Sequence, residues 1–135
     1  MTDDAWDVEA PDAGALLAVA EATRDGFPAP FARLAREVRL TVEEWPTEAV
    51  LNDLEVEDAY DLTGLYDGEA LTDRSVDAPS PPSTVTLYRR AILDEWAARG
   101  DVSLAALVSH VTAHEFAHHF GWSDDDIARV DRWWE

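Results

Sequence analysis

The chain has 135 residues, of which 47% are apolar, so it is long enough to fold as one domain around a hydrophobic core. Its formal net charge is -19, all ten of its cationic side chains are arginine, and it contains no cysteine. The negative charge disfavours nucleic acid and anionic membranes as partners, and the absence of cysteine excludes disulfide bonds and thiolate metal sites.

The N-terminal segment 1–11 is acidic and has no basic residue, which predicts a flexible leader before a single domain at 12–135. The apolar run at 15–20 is too short to span a membrane, so we expect a soluble, cytoplasmic protein. Residues 40–73 contain eleven acids and no base. Such a surface either attracts basic peptides or only keeps the protein soluble. The second interpretation is favoured, because net charge indicates solubility more reliably than it indicates binding partners.

The first half of the chain carries signals for helices around one strand. Asp12 and Gly26 bound a stretch with helical spacing of apolar residues, and apolar and polar residues alternate ahead of Pro46. The predicted elements are a helix at 12–25, a helical turn at 30–36, a strand at 38–45 and a short helix at 47–54.

The second half is predicted to contain two strands and three helices. Its elements are strands at 62–66 and 84–88, a helix at 91–99 closed by Gly100, a long helix capped by Asp101 or Ser103 that runs to Phe120, and a last helix from Ser123 to Trp134. The segment 67–83 contains Asp-Gly and several prolines and is predicted to be a long loop. Loops of this length in compact domains are usually functional or mobile.

The long helix contains an HExxH motif, His114-Glu115-Phe116-Ala117-His118. Two histidines four residues apart lie on one face of a helix, so both imidazoles reach one zinc ion, with Glu115 beside its water. Six residues after His118 comes Asp124, reached through Gly121, which can turn the chain back under the helix. The whole string is a candidate three-ligand zinc site with its own general base.

The motif is expected to face inward. Helical spacing continues the apolar stripe of Leu107, Val108 and Val111 onto His114, Glu115 and His118. Polar groups on a buried face are costly unless they have partners, and a metal ion with a water-filled cleft supplies them.

The third ligand is left open by the sequence. Asp124 is the first choice, but Ser123 followed by three aspartates also has the pattern of an ordinary helix start. The alternatives are Asp125, Asp126 or Asp131, or a site with only two protein ligands. Two histidines and a carboxylate also suit non-haem iron and other divalent ions.

Four other side chains are weaker candidates. His119 is expected to be a partly exposed neighbour of the motif, with donation to a substrate oxyanion or support of Glu115 as the alternative. His110 lies one turn before His114 but lacks an adjacent glutamate, so a structural role is expected. Tyr66 and Tyr88 end strands and are expected to pack in the core or at its rim, the alternative being hydrogen bonds to a tetrahedral intermediate.

A site of this type hydrolyses amide bonds. Zinc with three protein ligands keeps a position for water and lowers its pKa to about 7, and Glu115 takes the proton and returns it to the leaving amine. Zinc peptidases of this kind usually hold an extended substrate along an edge strand above the helix. The strands at 62–66 and 84–88 are both candidates for that edge.

Four segments resemble, in the same order, those of the small bacterial zincin-like metallopeptidases, also called minimal zincins. They are 38–46, 62–68, 84–89 and 114–121. The resemblance covers about residues 12–132 and implies an α+β fold with a small mixed sheet packed against a long central motif helix. It also implies His114, His118 and Asp124 as zinc ligands, Glu115 as general base, and a peptide or protein as substrate.

Larger zincin clans do not fit. Metzincins have a third histidine where Asp124 stands and then a Met-turn, whereas Met1 is the only methionine of this chain. Gluzincins take a glutamate from a later helix, and Glu135 is the only glutamate after the motif. Two other functions remain open. The first is a non-catalytic zincin-fold module that binds or regulates, with or without the metal. The second is hydrolysis of a non-peptide amide.

Overall fold

The computed structural model describes residues 11–29, 31–71 and 82–122, which form five helices and three strands. In chain order these are α1 (Ala13–Asp25), α2 (Phe31–Ala35), β1 (Arg39–Glu43), α3 (Glu48–Asp53), β2 (Gly64–Asp67), β3 (Thr84–Tyr88), α4 (Arg89–Arg99) and α5 (Leu104–His119). The predicted α+β class is confirmed. Nearly all of the predicted leader, most of the loop at 67–83 and the helix from Ser123 lie outside the described residues.

The three strands form one mixed sheet with β3 in the centre. β1 runs parallel to β3, with Leu40 opposite Val85, and β2 runs antiparallel to it, with Gly64 opposite Leu87. A central strand has both of its edges paired, so it has no free edge for a peptide. Of the two strands that the sequence left open, β2 is therefore the edge strand.

Local sequence explains where the helices begin. Three helices start after a side chain that accepts a hydrogen bond from a backbone N–H of the first turn, which satisfies one otherwise unpaired donor. The pairs are Asp12 with Ala15, Thr47 with Val50, and Ser103 with Ala106. Ser103 rather than Asp101 thus caps the motif helix. Helix α4 differs from the prediction, because it follows directly from β3 at Arg89 rather than starting at 91.

The hydrophobic core lies between α1, α5 and the sheet. Its largest fully buried apolar side chains come from these three layers and from α4, and they include Leu16, Val85, Leu87, Ile92, Leu107, Val108 and Phe116. A hydrogen bond of 2.7 Å between the Thr23 and Ser109 hydroxyls also links α1 to α5. Helix α5 contacts α1, α4, β2 and β3, which confirms the prediction that the motif helix is central.

Strand β2 is displaced from its predicted position. It spans Gly64–Asp67 instead of 62–66, because Ala59–Asp61 forms a 3-10 turn that delays the strand. This shift places a glycine at the start of β2, next to the motif helix. In the described part of the chain, no helix combines the length and apolar character needed to cross a bilayer.

Candidate metal centre

Helix α5 holds His114, Glu115 and His118 on its half-buried face, as the helical spacing predicts. The ring centres of the two histidines are 5.1 Å apart, with the ring planes at 80°. Two imidazoles whose nitrogens each lie about 2.0–2.1 Å from one tetrahedral zinc have ring centres about 5 Å apart. The distance between the two ring centres therefore matches that of two imidazoles on one zinc ion.

His110 is a poorer partner for His114. Their ring centres are 6.1 Å apart, an ångström more than in the pair of His114 and His118. His110 nevertheless lines the same cleft as His114 and Glu115. This position agrees with the expected secondary role of His110 and makes it a useful control residue.

A cleft of about 240 Å³ opens beside the motif. Its wall is formed by α5, by the segment that leads into β2 and by one side chain of α4. The lining residues are Asp61, Leu62, Thr63, Gly64, Glu95, His110, Val111, His114 and Glu115. Three of these are acids and none is arginine, so the cleft has a negative character.

Gly64 lets β2 approach the motif helix closely. A Cβ atom at this position would lie 2.8 Å from Val111 Cγ1 and 3.1 Å from Glu115 Cγ. Carbon atoms in ordinary contact are about 3.5–4.0 Å apart, so no larger residue fits without movement. The edge strand therefore runs directly over the candidate general base.

The motif helix ends immediately after its histidines. Gly121 has φ 89°, and the N–H groups of Gly121 and Trp122 donate to the carbonyls of His118 and Ala117. These two bonds form a Schellman motif, in which glycine takes the left-handed conformation that other residues avoid. The predicted left-handed conformation of Gly121 is confirmed.

The third metal ligand remains a prediction. Asp124, the first choice, lies outside the described residues, as do Asp125, Asp126 and Asp131. Within 11–29, 31–71 and 82–122, no three histidine or acidic side chains are grouped so that they could hold a metal ion. The described part of the site thus consists of two imidazoles and the adjacent carboxylate of Glu115.

The expectation that His119 is partly exposed is wrong. Its side chain is fully buried, with Nδ1 2.8 Å from Tyr66 Oη and Nε2 3.1 Å from Glu37 Oε1. Helical spacing alone did not reveal this, because the partners come from β2 and from the segment before β1. Tyr66 Oη also lies 3.1 Å from the Glu69 carbonyl oxygen and 3.1 Å from Ser83 Oγ.

Tyr88 lies at the end of the central strand and is only 4% exposed. Burial raises the pKa of its phenol above the ordinary value of 10.0, and the nearby carboxylates of Glu43, Asp67 and Glu115 raise it further. Tyr88 therefore keeps its proton at neutral pH. The expected packing in the core is confirmed, and the phenol lies within electrostatic reach of the candidate base.

Sequence reasoning did not single out Gly64, Asp61, Glu95, Glu37 or Ser83. A glycine inside a strand pattern is a known sign of close backbone approach, so Gly64 carried a usable signal. The other four residues are ordinary polar residues in sequence. Only the tertiary arrangement brings Asp61 and Glu95 to the cleft, Glu37 to His119 and Ser83 to Tyr66.

The family model of the zincin-like metallopeptidases matches residues 35–134, which include all three strands and the motif helix. The match begins at the end of α2, so α1 lies outside it although the resemblance was expected from about residue 12. No curated protein matches the chain. The extent of the family match, together with the motif helix and its sheet, shows that the chain belongs to the zincin-like metallopeptidase family.

Proposed function

We propose that the protein is a zinc-dependent peptidase that hydrolyses peptide bonds with Glu115 as general base. The observation that carries the proposal is the pair of His114 and His118, whose ring centres are 5.1 Å apart beside a glutamate that lines the cleft. His114 and His118 would hold the metal, with Asp124 as the proposed third ligand. When bound, zinc supplies a Lewis acid that polarises the scissile carbonyl and makes water more acidic.

The residues of the chain supply proton transfer and orientation. Glu115 accepts the proton of the attacking water and delivers it to the nitrogen of the leaving amine. The edge strand β2 lies over Glu115 at Gly64 and offers backbone groups to an extended peptide, which adds to the sheet as a further strand. The small cleft suits a peptide backbone with one side chain better than an enclosed ligand.

The charge of the cleft favours basic side chains in the substrate. Asp61 and Glu95 line it together with Glu115, and Asp61 belongs to the long base-free segment at 40–73. Peptides with arginine or lysine near the scissile bond should therefore be cleaved faster than acidic ones, and added salt should reduce the difference. Asp61→Asn should weaken this preference, whereas Asp53→Asn, on the exposed surface of α3, should leave it unchanged.

The metal is tested first. Protein purified without added metal or chelator should contain about one zinc per chain by elemental analysis. His118→Ala should remove the zinc, and His110→Ala, a matched histidine on the same helix, should retain it. Equal zinc content in all three proteins would refute the assignment of the ligands.

Catalysis is tested with a peptide library and Glu115→Gln. This variant should keep its zinc and lose turnover, since the amide cannot accept the proton. Turnover at the wild-type rate in Glu115→Gln would refute the mechanism. A wild type that binds zinc but cleaves no peptide would instead favour the second candidate, a non-catalytic module that keeps the fold and the metal.

A further inference from the structure

The buried imidazole of His119 connects the last turn of α5 to the edge strand. One ring nitrogen lies 2.8 Å from Tyr66 Oη in β2, and the other lies 3.1 Å from Glu37 Oε1, two residues before β1. The rings of His119 and Tyr66 also pack edge to face, with centres 5.5 Å apart. His119 is therefore held from both sides by segments that are distant in sequence.

The contact between Tyr66 and His119 lies a fixed distance along β2 and α5 from the contact between Gly64 and Glu115. Gly64 and Tyr66 are two residues apart in β2, so they face the same side and are separated by about 6.6–6.8 Å along the strand. Glu115 and His119 are four residues apart in α5, a separation of about 6 Å along the helix. The two spacings agree, so the pairing of Tyr66 with His119 also aligns Gly64 with Glu115.

We propose that His119 is a positioning residue that fixes the register of β2 along the motif helix. Through Tyr66 it keeps the edge strand aligned over Glu115, and through Glu37 it keeps its own ring oriented. The proposal rests on the proposed function, because the register matters for catalysis only if a peptide binds along β2.

Hydrogen bonds are suited to this role in a way that apolar packing is not. An apolar side chain at position 119 could fill the same volume, yet it would give Tyr66 no directional contact with the helix beyond the pairing of β2 with β3. His119 is fully buried, so displacement of Tyr66 would cost the 2.8 Å contact to His119 Nδ1 in a region shielded from water. The shortest of the polar contacts of Tyr66 Oη is the one to His119 Nδ1, at 2.8 Å, with the Glu69 carbonyl oxygen at 3.1 Å.

The first test compares Tyr66→Phe with Tyr60→Phe. Tyr66→Phe keeps the ring and removes the hydroxyl, whereas the ring of Tyr60 is 46% exposed and packs against Trp45 away from His119. Amide hydrogen exchange, zinc content, kcat and KM are measured on the full chain. In Tyr66→Phe we expect amide exchange in β2 to be at least about tenfold faster, while exchange in α1 stays unchanged. The variant should retain its zinc, and its kcat should fall about tenfold or more with little change in KM. Tyr60→Phe should match the wild type.

The second test uses Glu37, whose side chain is 45% exposed and can be replaced without disturbing the core. Glu37→Gln retains an oxygen that accepts from His119 and should keep most of kcat, whereas Glu37→Leu should lower kcat and speed β2 exchange as Tyr66→Phe does. This rescue by the conservative variant distinguishes orientation of the ring from general stability. Equal effects of Gln and Leu would overturn the role of Glu37 and with it the proposed orientation of His119.

The outcomes separate this proposal from the proposed function. If the zinc-loaded wild type cleaves no peptide, the proposed function fails. In that case faster β2 exchange in Tyr66→Phe still supports the role of His119 in fixing the register, and unchanged exchange overturns that role. If the wild type is active, wild-type kcat in Tyr66→Phe overturns the positioning role. Exchange that accelerates equally in α1 and β2 also overturns it, because that result reflects only a loss of global stability.

Discussion

Replacement of Gly64 by alanine should disturb the cleft, because the added methyl group would overlap with the motif helix. The added Cβ would lie 2.8 Å from Val111 Cγ1 and 3.1 Å from Glu115 Cγ. Relief to ordinary carbon contact requires β2 and α5 to separate by about 1 Å. Overpacking of this kind costs about 1–3 kcal/mol of the free energy of unfolding.

The effect on catalysis should exceed the effect on folding. A displacement of about 1 Å between substrate and catalytic groups lowers a rate by about 100-fold. Because β2 is the proposed substrate strand and Glu115 the proposed base, we expect kcat of Gly64→Ala to fall by about that factor. Zinc content should remain at the wild-type value, since His114 and His118 are unchanged.

Urea unfolding, elemental analysis and steady-state kinetics check this prediction, with Gly14→Ala as the control. A Cβ on Gly14 meets only Asp12 Oδ1 at 3.4 Å, an ordinary contact near the start of α1. Alanine in a helix is more favourable than glycine by about 0.5–1 kcal/mol, so this control should be at least as stable as the wild type. Wild-type stability and kcat in Gly64→Ala would refute the close approach of β2 to Glu115.

Three further changes test the fold around the site. Since the folded-state pKa of Tyr88 is raised above 10.0, its contribution to stability is complete below that pH and is lost as pH rises through the folded value. Urea titrations at increasing alkaline pH should therefore show a steeper loss of stability in the wild type than in Tyr88→Phe; parallel curves would contradict the shift. Gly121→Ala places a side chain at φ 89° and should lower the free energy of unfolding by about 1–2 kcal/mol, and an unchanged urea midpoint would exclude strain there. Phe116→Ala removes a fully buried ring that packs 5.6 Å from Phe27 and should cost about 3–5 kcal/mol by thermal or urea unfolding; a loss below about 1 kcal/mol would contradict its place in the core.

Most of the secondary structure could be predicted because its signals are local. The capping bonds of Asp12, Thr47 and Ser103 and the glycine at the end of α5 each act within a few residues of the helix end. The motif histidines could also be predicted to share one face, since a helix determines that relation by itself. The metal-binding role of those residues stays a prediction.

Relations between distant segments could not be predicted from these signals. The strands at 62–66 and 84–88 were both candidates for the edge strand that holds the substrate. Only the observed strand pairing shows that β3 is central. The start of β2 depends on the 3-10 turn at Ala59–Asp61, which no strong local signal marked. The close approach at Gly64 follows from that start, because it brings the glycine rather than Leu62 over the motif helix.

The same physical constraint explains both the candidate metal site and the network around His119. Helix α5 presents polar side chains to a face that β2 covers, and polar groups that lose water there need partners. For His119 the chain supplies them itself, through Tyr66 and Glu37. For His114 and His118 the spacing suits one metal ion. The last two turns of α5 therefore carry both the contact that holds the edge strand, at His119, and the residues of the proposed chemistry, so a variant that loosens this contact should impair the chemistry even with zinc bound.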